Sequence, residues 1–152
     1  MSSLPLPIGF QPRVLSTRFT VPGEPIAKGR ARSFVRNGHV AHFTPEKTAR
    51  YENLVRLAAQ QAMDGEPPRD GAVRLTVTAV FTIPASWSKK RQAEAVRAPV
   101  TKRPDLDNVV KAIKDGCNGV LWRDDCQVAC LIATKTFGEI PGVWVCVEDY
   151  AQ

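Results

Sequence analysis

AVRLTVTAVFTI, residues Ala72 to Ile83, sets Val73, Leu75, Val77, Ala79, Phe81 and Ile83 on one side of an extended chain. Side chains of a strand alternate between its two faces, so a period-two apolar pattern rich in β-branched residues predicts a strand with one face in a core. Pro84 stops it, because proline cannot donate to a sheet ladder.

The flanking sequence adds further elements. Upstream, Thr17–Val21 (TRFTV) reads as a strand ended by Pro22-Gly23, and Ser33–Arg36 and His39–Phe43 flank Asn37-Gly38, the strongest short hairpin signal. A helix follows, with Thr44 able to cap it and Pro45 suited to its first position. It presents Tyr51, Leu54, Val55, Ala58 and Ala62 on one face and ends near Met63, before the loop DGEPPRDG. Downstream, Ser88–Arg97 predicts a short basic helix, and APVTKRP reads as a loop. Leu106 to Cys117 predicts a second main helix with Leu106, Val109, Val110, Ile113 and Cys117 inward. Trp122–Asp125 reads as a turn before two last strands, Gln127–Phe137 and Gly142–Val147. This order predicts an α+β fold: a single domain over 17–149 with a mixed β-sheet and two main helices packed on it. Residues 1–16, with Pro5, Pro7 and Pro12, read as an irregular N-terminal arm.

A chain of 152 residues, 43% of them apolar, holds one domain with a real core. The net charge of +6 favours polyanionic partners such as nucleic acid. No run approaches the ~20 apolar residues of a membrane span, and the start lacks the pattern of a secretion signal. Cys117, Cys126, Cys130 and Cys146 form no C-x-x-C pair, and His39 and His42 lie far off in sequence, which argues against zinc. The cysteines read as buried or half-buried thiols in a reducing compartment, and the expected location is cytoplasmic.

Lys102 to Val128, KRPDLDNVVKAIKDGCNGVLWRDDCQV, concentrates Asp105, Asp107, Asp115, Asp124 and Asp125 in an otherwise basic chain. Pro104 biases Arg103 toward an extended conformation, so the helix starts just after it. On an extended entry, residues two apart share a side, and Asp105 and Asp107 can converge at the helix mouth. Asp124 or Asp125, leading into a strand, is expected to point the same way. Converging carboxylates repel unless a cation sits between them, and magnesium, a hard ion that keeps several waters, needs only two or three. The alternative on spacing alone is structural: aspartate caps helix starts and favours turns. Lys111 either approaches the same centre or a bound phosphate, or forms an ordinary i,i+4 ion pair with Asp107 or Asp115. Asp115 is expected to orient Lys111 or form an exposed pair.

Lys28, Arg30 and Arg32 alternate along the chain, and Lys102 and Arg103 adjoin Asp105; all five are expected to contact DNA phosphates. Lys89, Lys90 and Arg91 read as a solvated face, and Trp87 and Trp122 as packing residues.

Three blocks, VPGEPIAKGRAR, RPDLDNVVKAIKDGCNG and VLWRDDCQV, together make the chain resemble the RusA-type Holliday junction resolvases over about Thr17 to Val147. The resemblance implies a RusA-like fold, a homodimer, magnesium with manganese as a possible substitute, and paired symmetric nicks in a four-way DNA junction. It implies no nucleotide cofactor and no membrane. It places the acidic triad on Asp105, Asp107 and Asp125 and the helical lysine on Lys111. The basic block departs from the relatives' usual K-x-R-P-R, with Ala31 where they carry proline. Two rivals stand beside the resolvase: a nuclease for flaps or forks, and a catalytically silent DNA-binding module of the same fold. The latter would keep, or tighten, its DNA binding when the carboxylates are neutralised.

Overall fold

The computed structural model describes residues 16–29, 32–43 and 46–151. The expected arm (up to residue 15), Arg30 and the expected Thr44-Pro45 helix start lie outside them. Strand β1 (Ser16–Pro22) is followed by the hairpin strands β2 (Arg32–Arg36) and β3 (His39–Phe43), then helix α1 (Glu46–Met63) and strand β4 (Val73–Thr82). Helices α2 (Lys89–Ala95) and α3 (Leu106–Cys117), a 3-10 turn over Asp125–Gln127, and strands β5 (Val128–Gly138) and β6 (Gly142–Asp149) complete the chain.

The four long strands form one mixed sheet in the order β1-β6-β4-β5, with β4 and β5 parallel and the other neighbours antiparallel. Parallel neighbours need a crossover, and the connection from β4 to β5 carries α2 and α3. The α+β expectation holds, with α2 as a small third helix. The central position of β4 explains its composition: Val73, Leu75, Val77, Ala79 and Phe81 are buried in strict alternation. Burying each of the larger ones contributes about 1.5–3 kcal/mol. The hairpin forms a separate two-stranded sheet, and Asn37 (φ 52°) and Gly38 (φ 77°) make the left-handed turn expected of Asn-Gly.

The inward face of α1 is rotated from the expected one. Thr48, Tyr51, Val55, Ala59 and Met63 are buried, whereas Leu54 is 38% exposed. The cause is where α1 meets α3. A Cβ added to Gly116 would lie 2.6 Å from Val55 Cγ1 and 2.9 Å from the Glu52 carbonyl oxygen, so the Val55 side chain on α1 packs directly on the bare backbone of α3 at Gly116. On α3 the buried set is Val109, Val110, Ala112, Ile113, Gly116 and Cys117, with Leu106 partly buried against it. The four thiols are free; Cys117 is buried, Cys130 and Cys146 are half-buried, and Cys126 is exposed, contrary to expectation. Arg69, only 2% exposed, donates to Asp149 Oδ1 at 2.9 Å and Thr17 Oγ1 at 3.0 Å, which ties β1 to the end of β6. Among the described residues no helix is long and apolar enough to cross a membrane.

Candidate active site

Asp105 is the residue before α3 and has extended backbone (φ −66°, ψ 140°), as expected of an entry after Pro104. Its carboxylate makes no capping hydrogen bond, so the capping alternative does not describe it. Asp107 lies in the first turn and is exposed. A helix N-terminus carries partial positive charge, which favours both carboxylates there. The loop leading into this end is held from β5: Lys135 Nζ donates to the carbonyl oxygens of Lys102 at 2.8 Å and Pro104 at 2.9 Å. Lys102 and Arg103 are exposed beside Asp105, and the Lys102 ammonium lies 5.7 Å from the Phe137 ring centroid.

Lys111 stands one turn beyond Asp107, 61% exposed, with Nζ 3.2 Å from Asp115 Oδ1. Asp115 also accepts Lys28 at 3.0 Å through Oδ2, and Lys28 contacts Glu52 on α1 at 2.5 Å. Burial alone would lower the Lys28 pKa, but its bonds to Glu52 and Asp115 outweigh that and raise it above the usual lysine value. Lys28, expected to meet DNA, therefore serves as a strut. Its backbone N–H also donates to the Asn108 carbonyl at 2.9 Å, so the segment before the hairpin is stitched to α3. Asp115 forms an i,i+4 ion pair with Lys111, one of the arrangements expected of it. Arg32 begins β2, but its side chain, like all of Arg30, lies outside the described residues.

Asp125 opens the 3-10 turn, and its Oδ1 accepts from the indole Nε1 of fully buried Trp122 at 2.9 Å. Trp122 is thus a core residue that also fixes a carboxylate, while Trp87 packs edge-on to Phe137 with Arg91 over its ring. The turn is locked by Gln127. Its Oε1 accepts from the N–H groups of Arg123 (2.8 Å) and Asp124 (2.9 Å), and its Nε2 donates to the carbonyls of Arg69 (2.8 Å) and Gly71 (2.9 Å). Sequence reading missed Gln127 and Lys135 because both act on backbone carbonyls remote in sequence; the one signal was the place of Gln127 in the block VLWRDDCQV. Gln127→Ala is expected to cost about 1–3 kcal/mol, lowering Tm by roughly 3–10 °C, as measured by thermal unfolding.

The three aspartates do not meet within one chain. Burial, and then the Asp125 carboxylate, push the Cys117 thiol well up, which puts Asp125 near the C-terminal end of α3. Twelve helical residues span ~18 Å, and Asp105 and Asp107 are at the other end. The strand agrees: Asp125 precedes Val128, whereas the loop carrying Asp105 is held by Lys135, about 23 Å further along β5. Among the described residues no three His, Cys, Asp or Glu side chains gather to hold a metal ion. The expected convergence with Asp124 or Asp125 at the helix mouth is therefore absent from a single copy.

Between the two ends, β5 is an edge strand. Residues 97–100 pair with its far part through Arg97 N–H to the Phe137 carbonyl, Phe137 N–H to the Ala98 carbonyl and Val100 N–H to the Lys135 carbonyl. From Val128 to Thr134 that edge has no strand partner among the described residues. Leu131, 48% exposed, joins Leu106, Asp107, Val110 and Lys111 in lining a groove of about 370 Å³ between α3 and β5.

Comparison with known proteins adds two findings. The profile of the family described as endodeoxyribonuclease RusA matches residues 22–148. An uncharacterised Bacillus subtilis protein, YqaN, is 38% identical over 136 residues, covering 87% of this chain and 95% of that protein.

Proposed function

The chain belongs to the endodeoxyribonuclease RusA family, and from that premise we propose that it is a magnesium-dependent endonuclease that resolves four-way DNA junctions by paired nicks. The observation that carries the reading is the pair Asp105 and Asp107: two carboxylates at the positive end of α3, exposed and without a side-chain hydrogen bond among the described residues, beside a lysine paired with Asp115 and two exposed cations.

The donor set suits a hard divalent cation, because all three acidic groups offer oxygen. Its distribution does not suit one copy. The working unit is a homodimer in which Asp105 and Asp107 of one copy, with Asp125 of the other, would hold the ion. The free edge of β5 supports this arrangement. Two such edges paired antiparallel about a twofold axis bring the start of one β5 toward the far end of the other, and Asp125 with it. The apolar groove beside Leu131 is then covered, and two equivalent sites face a twofold junction. When bound, magnesium, or manganese in its place, supplies charge stabilisation at the phosphate and a water of lowered pKa.

The chain's own residues do the rest. The Trp122 indole holds Oδ1 of Asp125 and so fixes the carboxylate that would help hold the ion. Lys111, held by Asp115, stabilises negative charge on the scissile phosphate. Lys102 and Arg103 grip the backbone beside it, and Arg30 and Arg32, for their charge, are proposed as further phosphate contacts. Such contacts read charge and shape, not sequence. The location that suits a DNA substrate is the cytoplasm.

The test is incubation of a labelled four-way junction and a linear duplex with the protein in magnesium or in EDTA. Paired nicks near the branch point are expected in magnesium, with none in EDTA and an intact duplex. Junction binding without nicks in both magnesium and manganese would leave a silent binding module; preferential cutting of flaps or forks would move the substrate to that rival class.

A further inference from the structure

The helices cover only one face of the sheet. The other carries Arg18 and Thr20 on β1, Trp144 and Cys146 on β6, and Thr76 and Thr78 on β4, and no helix lies over it among the described residues. Strand register sets Trp144 between Thr20 and Thr78, two short neighbours that leave its ring bare. It is 58% exposed, whereas Trp122 is fully buried and Trp87 lies under Arg91. Two hollows, of about 550 and 710 Å³, open on either side of Trp144, and Trp144 and Thr78 line both. Arg18 lines the first and Arg97 the second; both are exposed, and among the described residues neither makes an ion pair. Arg74, on the same face, is neutralised by Glu148 at 2.6 Å, and Glu139 is the carboxylate on the far rim.

This combination selects an occupant. A protein surface laid on the face would have to bring a carboxylate to each of the two guanidinium groups, which make no ion pair among the described residues, or bury them uncompensated at a cost. A polyanionic strand would neutralise them. An exposed aromatic ring flanked by arginines and hydroxyls stacks bases and holds phosphates, and only unpaired bases offer a free face to stack. We propose that this face binds single-stranded DNA, with a base stacked on Trp144 and the backbone held by Arg18 and Arg97. The proposal rests on the DNA-cutting reading above, and it gives that enzyme a second contact, for bases that leave their pairs when the branch point opens.

The experiment titrates a short oligothymidylate into the full-length protein in EDTA, reading tryptophan fluorescence and oligonucleotide anisotropy. Wild type is expected to show saturable quenching. Trp144→Ala is expected to lose the quenching and bind roughly tenfold more weakly, with Trp144→Phe recovering most of the affinity. The Arg18→Ala/Arg97→Ala double variant is expected to show a shallower salt dependence. Circular dichroism checks that the variants fold, as exposed positions should allow. Absence of quenching in wild type, or unchanged affinity in Trp144→Ala, would overturn the proposal. So would a drop in sedimentation mass in Trp144→Ala, which would assign the face to a second copy. Because no cleavage is involved, failure here leaves the nuclease reading standing, and a protein that binds the oligonucleotide but never cuts a junction refutes only the latter.

Discussion

Asp107→Asn is expected to lower junction nicking by roughly a thousandfold, the equivalent of about 4 kcal/mol of lost transition-state stabilisation. Asparagine keeps the size and one oxygen but removes the charge that the proposed cation site requires. Junction binding should persist or tighten, since one negative charge leaves the surface proposed to face phosphates. Asp107 is exposed, in the first turn of α3, and makes no side-chain hydrogen bond among the described residues, so folding should be unaffected. Electrophoretic mobility shift and single-turnover cleavage measure the two quantities separately. Near-wild-type nicking by the folded variant would remove Asp107 from the chemistry and return it to the helix dipole.

Leu131→Arg is the second large effect. Leu131 is 48% exposed on the unpaired stretch of an edge strand, over the groove it shares with Val110 and Lys111. Exposed strand edges that carry apolar side chains seek partners. Across a twofold interface the substitution enters twice, and it sets new positive charge against its own copy and against Lys111 and Lys114. The expected result is a folded monomer by sedimentation velocity and loss of nicking to background, although no acidic residue was touched. A monomer that cuts at the wild-type rate would contradict the shared metal centre, and an unchanged dimer would place the interface elsewhere.

Much of the fold was legible because its signals are local. The alternation from Val73 to Phe81 needs only the strand period, and Asn37-Gly38 needs only two residues that accept positive φ. The inward face of α1 was less legible. The position of its stripe depends on Gly116, more than fifty residues beyond Val55, where absence of a side chain lets the helices close. The site divides in the same way. That Asp105, Asp107 and Asp125 are unusual in a basic chain is visible from composition and spacing. That they lie at opposite ends of α3 is not, because residues 118–127 must turn back before β5 starts. Lys28 shows the other failure: a lysine in a basic run reads as a DNA contact, yet Glu52 and Asp115, from two different helices, engage its ammonium. Pairings of that kind are set by tertiary structure, beyond the reach of local pattern.

A shared centre has a direct signature in mixed subunits. Asp107→Asn and Asp125→Asn should each fail to nick a labelled four-way junction in magnesium. When the two are mixed and allowed to exchange, a heterodimer has one site with both substitutions and one with neither. The mixture is therefore expected to regain nicking, confined to one strand per junction. A mixture that forms heterodimers, binds the junction and stays silent would contradict a centre built from two copies.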